Sequence, residues 1–118
     1  MNKLALGTVQ FGLDYGISNV NGKVVFEEAV KILNYSKVNN INTLDTAPGY
    51  GNSEKVLGKI GVKDFCIVTK TSPLKLGVDN VIKSFYQSLR NLNSSSLDGL
   101  LIHNIDEVKD KKFEILYK

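Results

Sequence analysis

Short apolar runs alternate along this chain with longer segments whose apolar residues recur at helical spacing. Leu4-Ala5-Leu6-Gly7-Thr8 predicts a first strand. From about Val25 to Asn39, Phe26, Ala29, Val30 and Leu33 fall at i, i+3, i+4 and i+7. Glu27 and Glu28 occupy the first turn of that helix and Lys37 the last, as the helix dipole favours. Ile41–Leu44 predicts a second strand, after which Asn52 or Ser53 caps a helix through Val56 and Leu57 to Gly58 or Gly61. Phe65–Thr69 predicts a third strand, and Val78, Val81, Ile82, Phe85, Leu89 and Leu92 form one helical stripe. Past the polar loop 93–96, Leu97–Ile102 predicts a fourth strand, and a helical segment begins near Glu107.

Apolar strands joined by helical crossovers imply an α/β fold, a parallel sheet covered by helices with successive strands side by side. No linker or low-complexity tract divides the chain, so residues 1–118 read as one unit. Four βα units, the last incomplete, amount to the N-terminal half of a TIM (β/α)8 barrel, which takes ~250 residues when whole. An open flavodoxin-like sheet would need a fifth strand, for which no clear segment exists.

Composition narrows the function classes. The chain is 42% hydrophobic and 23% charged, an ordinary globular balance. The +3 net charge is spread out apart from Lys109, Lys111 and Lys112, which argues against nucleic-acid and membrane-surface partners. No apolar run approaches the ~18 residues of a membrane span, and no long apolar stretch follows Lys3 as in a signal peptide. One cysteine and one histidine supply neither an internal disulfide nor a closed zinc site, so no metal is expected and the reducing cytoplasm is the expected compartment. Cys66, inside Phe65-Cys66-Ile67-Val68, is expected to be a buried small hydrophobe.

The common phosphate loops fail. Gly49 and Gly51 begin a dinucleotide fingerprint, but Glu54 stands where its third glycine belongs. Gly7 and Gly12 have the Walker gap, yet Leu13 stands where lysine is required. These glycines are expected to serve turns and close backbone approach.

The strand ends carry the chemistry. Asp45 follows the second apolar run, Lys70 the third and His103 the fourth, while Tyr50 lies in the loop five residues after Asp45. In a parallel sheet these carboxyl ends share one face, where α/β proteins place their sites. A phenol donates a proton poorly at neutral pH unless its anion is stabilised. A nearby ammonium does that, and a carboxylate keeps the ammonium charged. An imidazole can fix the direction of a carbonyl oxygen. Together they read as a proton donor, Tyr50, aimed at a carbonyl that receives a hydride from a cofactor. Singly, Asp45 could brace a turn, Tyr50 could anchor a loop, Lys70 could be a solvated strand end and His103 a structural histidine.

These residues lie in motifs similar to those of the aldo-keto reductases. Leu6-Gly7-Thr8, the run Asn42 to Gly51 with Asp45-Thr46-Ala47-Pro48-Gly49-Tyr50-Gly51, Ser53-Glu54-Lys55-Val56-Leu57-Gly58, Val68-Thr69-Lys70, Ser88-Leu89-Arg90-Asn91-Leu92 and Leu97 to His103 follow that family's order over essentially the whole chain. The resemblance implies a TIM barrel that reduces aldehydes and ketones with NADP or NAD as cofactor. It implies a catalytic tetrad of Asp45, Tyr50, Lys70 and His103. It also implies cofactor contacts at Gly7, Thr8 and Asp45, and a substrate pocket at Tyr50, His103 and Asn104. The stretch from Thr8 to Ile17 resembles a bacterial branch, part of which serves surface-polysaccharide pathways. Family members are about twice this length or more, and their later strands supply most of the cofactor site.

A half-barrel leaves two strand edges and one sheet face without partners. The chain is therefore expected to self-associate as a homo-oligomer or to be part of a longer polypeptide. The alternative to an enzyme is a non-catalytic relict or interaction module that keeps the tetrad without a cofactor site.

Overall fold

A computed structural model of the protein describes residues 3–118. Its elements run β1 (Ala5–Gly7), α1 (Phe26–Val38), β2 (Thr43–Asp45), α2 (Ser53–Ile60), β3 (Cys66–Lys70), α3 (Val78–Leu92), β4 (Gly99–Leu101) and α4 (Lys111–Tyr117). Short 3-10 turns lie at Val9–Phe11, Leu74–Leu76 and Ile105–Lys109. The four strands are parallel and ordered β1-β2-β3-β4. The expected half-barrel is thus observed, with each strand beside its sequence neighbour.

Strand alternation divides the sheet into two faces. Leu44, Ile67 and Thr69 are buried beneath the helices. They join Phe11, Ala29, Leu33, Leu57, Val62 and Leu92 in the helix-side core, Thr69 as its polar neighbour. The opposite face carries Gly7, Asp45, Val68 and Gly99 in one register row, with Lys70 one step beyond. Cys66 shares that face because it lies four residues from Lys70 along one strand. It is exposed, which corrects the expectation of a buried thiol.

Local signals explain the boundaries. α2 runs past Gly58 to Ile60 and stops at Gly61, whose φ of 102° is open to glycine. Gly58 instead lets α2 meet α3, since a Cβ there would stand 2.0 Å from the Asn91 carbonyl oxygen. α3 ends on Asn93 in the left-handed conformation, with φ 51°. β4 starts later than its apolar run because the Asp98 carboxylate, not a strand carbonyl, accepts the Ile67 N–H at 2.8 Å. At the surface Lys37 pairs with Asp64 and holds that carboxyl below the ordinary range, through their hydrogen bond first and the lysine charge second. Among the described residues no helix is long and apolar enough to cross a membrane.

Candidate active site

Asp45 and Lys70 are the last residues of β2 and β3, each inside its strand rather than one residue beyond it. His103 lies two residues past β4, and Tyr50 in the β2–α2 loop. The Lys70 ammonium donates to Asp45 Oδ1 and, at 3.0 Å, to the Thr46 carbonyl oxygen. It lies 5.0 Å from the centroid of the Tyr50 ring. The His103 ring meets Tyr50 edge-on, with centroids 6.1 Å apart and planes at 77°. The structure therefore brings all four predicted residues together.

The Lys70 side chain is 14% exposed and that of Asp45 38%. Burial alone would pull the lysine pKa down. The hydrogen bonds and charges of Asp45 and Tyr50 together outweigh it, so Lys70 titrates above the ordinary lysine value. The ammonium stays charged across neutral pH.

A buried polar layer fixes this cluster from below. The Thr8 hydroxyl donates to the Asp45 carbonyl at 2.9 Å, and Ser53 Oγ reaches the Thr8 carbonyl at 2.9 Å. Thr69 donates to Glu54 at 2.7 Å, with both side chains buried. Thr8 was expected beside a cofactor. Its side chain is fully buried and donates to the backbone of Asp45, which braces the end of β2. Gly7 does lie on the open face in register with Asp45, and a Cβ there would meet nothing within 4 Å. Asn104, expected in a substrate pocket, follows His103, accepts the Asp106 N–H at 3.0 Å and caps the 3-10 turn after β4.

A cavity of about 250 Å³ opens beside Tyr50 and His103, its lining Val9, Leu13, Tyr15, Gly49 and those two side chains. The first three come from the β1–α1 loop and were not expected from sequence to be site residues. The signal available was position: they follow the end of β1 and so share the face of the other strand ends. That loop is locked to the one bearing Tyr50. Gly51, at φ 57°, packs on Gly12 so closely that a Cβ would lie 2.3 Å from the Gly12 carbonyl oxygen.

The aldo/keto reductase family profile matches residues 3–117. The chain belongs to this family. Solved structures agree. A Pseudomonas aeruginosa protein assigned as an aldo-keto reductase is 28% identical at a TM-score of 0.79, covering 96% of this chain and 47% of its own. A thermostable aldo-keto reductase crystallised with the inhibitor epalrestat is 28% identical at a TM-score of 0.68, covering 90% of this chain and 40% of its own. A Bombyx mori aldo-keto reductase solved with NADP shares the fold at 22% identity and a TM-score of 0.63, covering 84% of this chain and 33% of its own. The chain thus spans less than half the length of these family structures. No curated protein sequence matches it.

Proposed function

We propose that this chain carries the carbonyl-reducing half-site of an aldo-keto reductase that takes a small, uncharged aldehyde or ketone. The observation that carries the reading is the Lys70 ammonium, held between the Asp45 carboxylate and the Tyr50 ring with His103 edge-on beyond. A carbonyl oxygen in the cavity would receive its proton from the Tyr50 hydroxyl. The fixed charge of Lys70 would stabilise the phenolate left behind. Asp45 keeps Lys70 charged and oriented, and His103 would direct the carbonyl oxygen by hydrogen bonding.

NADP(H) or NAD(H), when bound, supplies the hydride. The open strip over Gly7, beside Asp45, suits the approach of a flat ring, because no side chain stands there. The cavity lining has no charged residue, and Val9, Leu13 and Tyr15 favour an apolar or aromatic substituent on the carbonyl.

The test is oxidation of NADPH by a generic benzaldehyde, followed by absorbance, beside a fluorescence titration of NADPH binding. Tyr50→Phe should lower turnover about 10²–10⁴-fold while leaving NADPH affinity unchanged. An absence of both saturable NADPH binding and turnover would overturn the reading in favour of a non-catalytic module.

A further inference from the structure

A second cavity, of about 450 Å³, lies where the chain enters α1 and meets the first turns of α2. Lys23, Lys55 and Lys59 line it, with Phe26 and Val56 as apolar floor and Asn52 at the rim, and no acidic residue is among its lining. Among the described residues four lysines have carboxylate partners, Lys31 with Glu28, Lys37 with Asp64, Lys70 with Asp45 and Lys109 with Asp106. Among the described residues Lys23, Lys55 and Lys59 take part in no ion pair. Two of them are positioned by neutral groups instead. Lys23 donates to Asn52 Oδ1 at 2.6 Å, and the Lys59 ammonium sits 4.7 Å above the centre of the Phe26 ring.

Lys55 and Lys59 are also one helical turn apart, where like charges repel. Three exposed lysines from two segments thus converge on one hollow whose lining holds no carboxylate. The hollow exceeds a bare ion in volume and falls within the ~300–1,000 Å³ of small-molecule sites. Its floor is apolar while its rim is cationic.

We infer that this cavity binds a multiply charged oxyanion, a phosphate or polycarboxylate group attached to a small apolar body, at a site separate from the tetrad. The ammonium groups would hold the anionic end, and Phe26 and Val56 would cover the rest.

The experiment is a nuclear magnetic resonance titration of the full 118-residue chain at low ionic strength, with pyrophosphate and citrate as separate probes. Saturable shifts at the amides of residues 23–26 and 52–59 are expected, weakened by added salt. Binding of pyrophosphate alone assigns the site to phosphate compounds, and binding of citrate alone to polycarboxylates. Combining Lys55→Gln with Lys59→Gln should weaken binding about tenfold or more. The control pair Lys111→Gln and Lys112→Gln should leave it unchanged. Lys23→Gln, in the loop before α1, gives an independent variant if the helix pair perturbs folding. No saturable shift with either probe, or equal weakening by the control pair, overturns the proposal.

Discussion

Gly12 packs against the backbone of Tyr50 so closely that a Cβ on it would stand 1.6 Å from the Tyr50 carbonyl oxygen. Gly12 has φ −117°, so the requirement is space and not an unusual backbone angle. Gly12→Ala must therefore push the β1–α1 loop away from the loop that bears the phenol. It should cost about 1–3 kcal/mol, the usual range for overpacking, visible as a lower urea midpoint. Turnover should fall with it, because Tyr50 is displaced. A variant with an unchanged midpoint would show that the two loops are not locked.

The Lys70 pKa is raised in the folded chain, and the pH dependence follows from that sign. Its stabilising effect is fully present below the unfolded lysine value of ~10.4 and is lost as pH climbs through the higher folded value. The difference in urea stability between the natural chain and Lys70→Met should stay constant from neutral pH to about 10, then shrink above it. Other lysines cancel in that difference. A gap that does not shrink above pH ~10 would contradict the assignment.

Thr69 and Glu54 form a buried pair beneath the strand ends. Thr69→Val keeps the shape but leaves a Glu54 oxygen without its donor, and should destabilise by about 1–3 kcal/mol. Adding Glu54→Met to that variant removes the stranded acceptor, so the double variant should recover much of the loss in the same denaturation experiment.

β1 and β4 are the outer strands of the sheet, and Cys66 is exposed on its open face. Unpaired edges favour association, so light scattering should show the chain self-associating as concentration rises through the micromolar range. Alkylation of Cys66 by iodoacetamide should slow over the same range as the open face becomes covered. A species that stays monomeric, with a constant alkylation rate, would refute this.

Local pattern carried the architecture well. The stripe from Val78 to Leu92 coincides with α3, although Ile82 is 45% exposed because the apolar stripe is wider than the surface it packs on. Lys70 and Asp45 were legible because an apolar run ending in a charge marks a strand end. Cys66 was misread from the apolarity of its neighbours. The period of two, which sets Cys66, Val68 and Lys70 on one side, held the better signal. The layer of Thr8, Ser53, Glu54 and Thr69 was invisible for a different reason. Small polar residues look like surface until the β1–α1 loop folds over them, and that contact spans 45 positions in sequence from Thr8 to Ser53.

Cohesion and chemistry occupy opposite sides of the sheet. Leu44 and Ile67 bind the strands to the helices, while Gly7, Asp45 and Lys70 look the other way. Exchanges on the open side therefore leave the hydrophobic interior untouched, and a scaffold arranged like this can vary there without first being made sturdier.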